Sequence, residues 1–107
     1  FPEIIEGGRY VVHQYVLHFD GSAFGKNRND LMDIVTSEYG VRCIVQYYPL
    51  YRFPLFTKLG AGEHDCPVLE SWWDNSFSLP WWCGITDEEI TIMTDAVRGA
   101  IEKLKAA

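Results

Sequence analysis

The sequence predicts an α+β fold in which two helices pack on one face of a small antiparallel or mixed β-sheet. Runs of apolar and β-branched residues at 10–19 and 42–48 have the composition of strands. Apolar residues recur at helical spacing over 29–39 and again from Thr86 to the C-terminus. The predicted order is strand, helix, strand, long loop, short strand and helix. A chain of 107 residues has room for one such core, so we expect residues 1–107 to be a single domain.

The first predicted strand, residues 10–19, ends at the turn signal Asp20-Gly21. Successive side chains of a strand point to opposite faces, so His13 and His18 are expected to point apart. The two histidines therefore cannot serve one site directly. The loop that follows, residues 21–29, lacks the lysine-hydroxyl pair and the glycine spacing of a phosphate-binding loop.

The first predicted helix covers residues 29–39. Asn27 or Asn29 can cap its start, and Gly40 stands where a C-terminal glycine ends a helix. Its apolar stripe consists of Leu31, Ile34, Val35 and Tyr39.

Prolines are expected to interrupt regular secondary structure in the middle of the chain. Pro49 ends the second strand because it lacks the N–H that a central strand donates, and Pro54 is expected to keep the next stretch irregular. Residues 49–76 are therefore predicted to be a long loop with at most a helical turn at 68–73. Long loops of this kind are usually functional or rest against another surface. A short edge strand, interrupted at Pro80, is predicted over 76–82.

The last helix has the strongest local signal in the sequence. Thr86 and Glu89 have the spacing of a capping box, and Ile85 with Ile90 can form a hydrophobic staple around it. Its apolar stripe is predicted to face the core rather than a cofactor; it contains Ile90, Met93, Val97, Ile101 and Leu104.

Composition narrows the functional classes. Fifteen acidic and nine basic residues give a formal charge of −6, which argues against a nucleic-acid partner. No run approaches the ~20 apolar residues of a membrane helix, and no signal peptide is visible. We expect no membrane association and a cytoplasmic location.

The three cysteines, Cys43, Cys66 and Cys83, are too widely spaced for a disulfide framework or a zinc site and are expected to be reduced thiols. Glu63-His64-Asp65-Cys66 contains consecutive potential ligands, but adjacent residues do not converge on one ion. We expect no metal site.

Aromatic residues are more numerous than a core of this size needs, with four Trp, six Tyr and six Phe. The chain also begins at Phe1 rather than Met. A chain that begins without its own Met is expected either to have been processed or to have been cut from something longer, and the surplus of aromatic residues needs a surface to cover.

Two segments, GVRCIVQYYPLYRFPLF at 40–56 and CPVLESWWDNSFSLPWWCGITDEEITIMTDAVR at 66–98, resemble the C-terminal small domain of sugar aminotransferases of the DegT/DnrJ/EryC1/StrS type. The resemblance covers nearly the whole chain from residue 10 onward. The residues that match the family pattern are Arg28, Asp30, Leu31, Gly40, Val41, Tyr47, Pro49, Leu50, Pro54, Pro67, Glu70, Ser78, Leu79, Pro80, Gly84, Ile85, Thr86, Glu88 and Glu89.

The resemblance implies a pyridoxal-phosphate enzyme of the aspartate-aminotransferase fold that aminates a keto sugar or cyclitol with glutamate or glutamine as donor. Its large domain, absent from this chain, would carry the Schiff-base lysine and bind pyridoxal phosphate. The resemblance therefore implies no catalytic or cofactor-binding residue here and an inactive isolated chain. It also implies two partners, the large domain of the same chain and a second subunit in a homodimer. On this resemblance, the segment that should lie against one of them is flanked by Trp72, Trp73, Trp81 and Trp82.

The small domain of such an enzyme would close the cleft and orient a sugar substrate. The candidates for substrate binding are Tyr51 and Arg52, followed by Tyr47 and Gln46 around Pro49. Arg52 could hold a carboxylate bidentately. Gln46 and Tyr51 stand where the family commonly has histidines. If those histidines contact substrate in the family, a different hydrogen-bond donor must make that contact in this chain.

Two other functional classes remain open from the sequence. Tryptophan and tyrosine platforms in a small acidic chain are typical of carbohydrate-binding modules, although these are mostly all-β. A non-catalytic interaction domain with the same fold is the second alternative.

Overall fold

A two-stranded antiparallel sheet lies at the centre of the molecule. The computed structural model describes residues 5–62 and 64–107. In it β1 (Tyr15–His18) pairs with β2 (Ser76–Leu79), so that Tyr15 lies opposite Leu79 and Leu17 opposite Phe77. Four α-helices accompany the sheet: α1 (Arg28–Tyr39), α2 (Pro54–Lys58), α3 (Pro67–Trp73) and α4 (Asp87–Ala106). Single 3-10 turns lie at Ser22–Phe24 and Leu50–Arg52.

The caps of α1 explain its position in the sequence. The side chain of Asn27 accepts hydrogen bonds from the backbone N–H groups of Asn29 at 2.8 Å and Asp30 at 3.3 Å. Asp30 returns the contact by accepting from the Asn27 N–H at 2.7 Å. Gly40 ends the helix with a φ of 69°, which costs a glycine little. The helix predicted over 29–39 is thus confirmed.

The C-terminal helix α4 begins at the predicted capping box. The Thr86 hydroxyl accepts from the Glu89 N–H at 3.2 Å, while the Glu89 carboxylate accepts from the Thr86 N–H at 2.8 Å. Three acidic residues in the first turn also interact favourably with the positive end of the helix dipole.

The core lies between one face of the sheet and the two long helices. Phe77 and Leu79 of β2 point to this face and are buried. They belong to a cluster that also includes buried apolar residues of α1 and α4, namely Leu31, Val35, Met93, Ala96, Ala100 and Leu104. The α+β prediction with two helices on one face is therefore confirmed.

The sheet is smaller than predicted, and Pro80 is one reason. β1 covers 15–18 rather than 10–19, and β2 ends at Leu79. The backbone of Ser78 faces Ile44, so Pro80, two positions later, faces the same side and has no N–H with which to extend that pairing toward Arg42. The predicted strand at 42–48 is reduced to one bridge, in which Ile44 and Ser78 exchange hydrogen bonds of 3.0 and 2.7 Å. The carbonyl of Ser76, where pairing would continue, accepts from Arg28 instead. With β1 on one side and Ile44 on the other, β2 is not the edge strand that was predicted.

Residues 49–76 contain more helix than predicted. Pro54 was expected to keep its surroundings irregular, yet it begins α2, and Pro67 begins α3 in the same way. Proline suits the first position of a helix because its φ is already helical and the N–H it lacks would have no partner there. The helical turn expected at 68–73 is present as part of α3.

No helix in the described ranges 5–62 and 64–107 is both long enough and apolar enough to span a membrane.

Candidate functional site

The four predicted substrate-binding residues lie between the Ile44 bridge and β2, and the structure separates them into two groups. Gln46 and Tyr47 share a hydrogen-bond partner, Gln14, just before β1. The side chains of Tyr51 and Arg52 instead bond to α3. The structure thus brings the candidates together in pairs.

Gln14 links the first pair. Its side-chain Nε2 donates to Oε1 of Gln46 at 2.9 Å and to the hydroxyl of Tyr47 at 3.2 Å. Both hydrogens of this amide are therefore used, and they hold two side chains that come from a different part of the chain. Sequence reasoning missed Gln14, because it was judged only as one residue on the face of a long strand.

A cavity of about 240 Å³ adjoins this triad. Its polar lining includes Gln14, Gln46, Tyr47 and Ser78, and Trp81 forms part of its wall. Trp81 is held in place because its indole N–H donates to the Val12 carbonyl at 3.1 Å and its ring stacks on Tyr15 at 5.6 Å between centroids. The cavity thus lies between the end of β2 and Gln46, two positions after the Ile44 bridge.

The second pair is centred on Glu70 of α3. The Tyr51 hydroxyl donates to Oε1 of Glu70, and Nε of Arg52 donates to the same oxygen at 3.2 Å. A terminal nitrogen of Arg52 pairs with the other carboxylate oxygen, and its second terminal nitrogen lies 3.6 Å from Oδ1 of Asp74. Arg52 therefore forms its bidentate pair with a carboxylate of its own chain.

Arg28 matches the family pattern, and the structure shows that it is a buried anchor, a role that the sequence did not indicate. Its Nη1 donates to the carbonyls of Trp73 at 2.5 Å and Ser76 at 2.9 Å, at the junction of α3 and β2. The guanidinium also lies 5.0 Å from the centroid of the Trp73 ring, and Arg52 lies 4.9 Å from the same centroid. Burial lowers the pKa of Arg28, while Asp74 acts in the opposite direction.

The remaining ionisable residues add no further centre. His18 packs against Trp72 with 4.9 Å between ring centroids, whereas His13 borders the 240 Å³ cavity. Among the described residues, no three His, Cys, Asp or Glu side chains are grouped as metal ligands. Glu63, one of the four residues considered for a metal site, lies outside the described residues.

Comparison with known proteins connects this geometry to a family. The sequence profile described as the DegT/DnrJ/EryC1/StrS aminotransferase family matches residues 3–98. The chain belongs to this family. It is also 26% identical over 102 residues to the spore coat polysaccharide biosynthesis protein SpsC of Bacillus subtilis (strain 168). That alignment covers 94% of this chain and 26% of SpsC, so the chain spans about a quarter of its relative. No solved structure matches the chain.

The structure gives physical reasons for several family-like positions. In the Arg-Asn-Asp-Leu segment at 28–31, Arg28 bonds to the α3–β2 junction, Asp30 completes the α1 capping box and Leu31 is buried in the core. The Glu70 carboxylate accepts a hydrogen bond from the Tyr51 hydroxyl and forms an ion pair with Arg52. These positions stabilise the fold, whereas the Gln46 and Tyr47 pair lies at a cavity.

The described residues do not fit pyridoxal phosphate. Enzymes of this chemistry hold the cofactor through a Schiff-base lysine and a partner for the pyridinium nitrogen. Lys103 pairs with Glu38 and Lys105 with Glu102, while Lys58 is exposed at the end of α2. Lys26, the fourth lysine, is half-buried and, like the others, does not line the 240 Å³ cavity or the larger ones of about 580 and 760 Å³.

Proposed function

We propose that this chain is the C-terminal small domain of a pyridoxal-phosphate aminotransferase that aminates a keto sugar or cyclitol with glutamate or glutamine as donor. When bound by the large domain, the cofactor supplies the electron withdrawal needed to move an amino group. The small domain closes one side of the cleft and orients the substrate. The family match over residues 3–98 is the observation that carries this proposal.

The role in orientation rests on the Gln14, Gln46 and Tyr47 triad. The hydrogen bond from Gln14 at 2.9 Å orients the half-buried side chain of Gln46 beside the cavity, so Gln46 loses less freedom on binding a ligand, whereas Tyr47 is 69% exposed. Fixed donors beside a cavity are what substrate positioning requires. Tyr51 and Arg52, which Glu70 already holds, support the fold of this segment and could reach a substrate only by exchanging that partner.

The domain's proposed partner is the large domain of the same polypeptide, and a homodimer is proposed for the complete enzyme. An apolar groove of about 760 Å³ runs along β1 and the residues before it, with Trp72 at its border. Trp72 at its border is 52% exposed, and Val16 within it is 45% exposed. An exposed apolar groove of this extent suits contact with another domain.

The test is an assay of the complete polypeptide encoded by the gene that contains this sequence. We expect it to bind pyridoxal phosphate and to release 2-oxoglutarate from glutamate in the presence of a keto sugar. In that enzyme Gln46→Leu should raise KM for the sugar more than it lowers kcat, because the residue positions substrate and moves no proton. Lys58→Ala is the matched surface control and should leave both constants unchanged. A complete polypeptide that binds no cofactor and transfers no amino group would refute the proposal.

The carbohydrate-binding alternative is not favoured by the architecture. Its expectation was a mostly all-β chain, whereas α1 and α4 are the longest elements and the sheet has two strands within the described residues. No specific contact favours the non-catalytic interaction domain over the family function.

A further inference from the structure

We propose that Gln14, Gln46, Tyr47 and Ser78 form a subsite for the hydroxyl groups of an uncharged ring, and that Gln14 is the residue that positions it. The inference deepens the proposed function and depends on it only for the ring being a sugar or cyclitol. Nothing in the family resemblance assigns a role to Gln14, and Ser78 was noted there only as part of a matching tripeptide.

The hydrogen bonds of Gln14 determine which groups remain for a ligand. Because Oε1 of Gln46 already accepts from Gln14, the amide hydrogens of Gln46 remain as donors. The Tyr47 oxygen also accepts from Gln14, so its own hydrogen remains free to donate. Gln14 contributes its carbonyl oxygen as an acceptor. The cavity therefore offers neighbouring donors and an acceptor, the pattern that two adjacent hydroxyls complement.

Ser78 provides an independent indication of a ligand. It is 2% exposed and lines the cavity, yet its Oγ has no hydrogen-bond partner among residues 5–62 and 64–107. A buried hydroxyl without a partner costs about 1–3 kcal/mol. Its backbone N–H and carbonyl are already bonded to Ile44, so the hydroxyl is the polar group of this residue that remains without a partner among the described residues.

The lining favours an uncharged ligand over an anion. It includes no Lys or Arg in the part of the chain that the structure describes, and phosphate and carboxylate groups are usually bound by those side chains. The chain also carries a net charge of −6, which repels anions. His13 and the phenol of Tyr47 are the ionisable groups of the lining. A volume of about 240 Å³ lies below the roughly 300–1,000 Å³ of sites for drug-sized ligands, so it suits one ring.

The experiment is a nuclear magnetic resonance titration of the ¹⁵N-labelled 107-residue chain. Gln14 and Gln46 are its two glutamines, so their side-chain amide signals report on the subsite directly. We expect saturable shifts of both signals with myo-inositol, in the millimolar range, and at least about tenfold weaker binding of myo-inositol 1-phosphate, a difference of about 1.4 kcal/mol.

Variants separate the subsite from general effects on the fold. Gln14→Leu should abolish the shift of the Gln46 signal and Ser78→Ala should weaken binding several-fold, whereas Ser37→Ala on the exposed face of α1 should bind like the parent chain. Dispersed backbone signals in each variant establish that it is folded. Gln14→Leu that binds myo-inositol normally, tighter binding of the phosphate, or no shift of either glutamine in the folded parent chain would each overturn the proposal. Because no cofactor or amino donor is present, loss of this binding is distinct from failure of the aminotransferase assay.

Discussion

The guanidinium of Arg52 binds both carboxylate oxygens of Glu70, which lies 18 positions later in the sequence. Asp74 on the next turn extends this pairing at 3.6 Å. The contact fastens the 3-10 turn of Leu50–Arg52 to α3. It therefore connects the segment of the substrate candidates to a helix that leads directly into β2.

Glu70→Gln should weaken this connection moderately. The side chains of Arg52 and Glu70 are 29% and 36% exposed, so solvent screens the pair. We expect a loss of about 0.5–1 kcal/mol in the free energy of unfolding, measured by urea denaturation. Glu6→Gln removes the same charge from an exposed position and should have a smaller effect. Equal losses in the two variants would show that net charge, and not the ion pair, is responsible.

Arg28→Lys should be more damaging than its similarity in charge suggests. A lysine ammonium lacks the planar fork that allows Arg28 to contact two carbonyls and the Trp73 ring together. We expect a loss of about 2 kcal/mol in the free energy of unfolding. Arg98→Lys is the control, since that side chain is 77% exposed. A stability close to that of the parent chain would contradict the anchoring role.

The N-terminal cap of α4 can be tested within one helix. Thr86→Ala removes the acceptor of the Glu89 N–H and should cost about 1 kcal/mol, measured by thermal unfolding followed by circular dichroism. Thr91 bonds back to the Asp87 carbonyl inside the same helix at 2.8 Å, so Thr91→Ala is expected to change stability little. If Thr91→Ala were the more harmful change, the capping argument would be wrong.

These two caps also show what the sequence could predict. The ends of α1 and α4 depend on residues within a few positions of each other, such as Asn27 with Asp30 and Thr86 with Glu89, so local patterns place them correctly. The extent of the sheet depends on contacts between residues that are far apart in the sequence. The strand expected at 42–48 is reduced to the single bridge between Ile44 and Ser78. On one side of Ser78, Pro80 has no N–H to donate, and on the other side the Ser76 carbonyl already accepts from Arg28.

The candidate site shows the same division. Gln46, Tyr47, Tyr51 and Arg52 could be proposed because they cluster around Pro49 and match a family pattern. Their partners could not, since Gln14 lies 32 positions before Gln46 and Glu70 lies 19 positions after Tyr51. Pairings over such separations are formed by tertiary structure, which has no local signature in the sequence.

The cysteines should differ in reactivity. Burial raises the pKa of the Cys43 thiol from 9.0 to about 11, while Cys83 is exposed. Thiolate is the reactive form, so iodoacetamide at mildly alkaline pH should alkylate Cys83 well before Cys43, as measured by mass spectrometry of peptides. Above pH 9 the unfolded chain loses the Cys43 proton while the folded chain keeps it. The free energy of unfolding should therefore fall as pH rises toward about 11. Cys43→Ser should reduce that fall, and faster alkylation of Cys43 than of Cys83 would contradict the burial.

The groove along β1 should bind a hydrophobic dye in the 107-residue chain. Trp72 lines it and is 52% exposed, so Trp72→Gln should lower the fluorescence of bound dye. Trp82→Gln removes a tryptophan that is 45% exposed but does not line this groove, and it should leave the signal nearly unchanged. The parent chain is also expected to self-associate at high concentration. A monomer that excludes the dye would count against an interface on this face.

The bridge between Ile44 and Ser78 makes residues 45–75 a closed excursion with both ends tied to the same point. Lengthening a loop whose ends are already joined costs little, because closure entropy grows only with the logarithm of its length. Insertions and deletions in this excursion can therefore accumulate without unfolding the helices behind the sheet. The length of this segment can therefore change separately from the core that it leaves and re-enters.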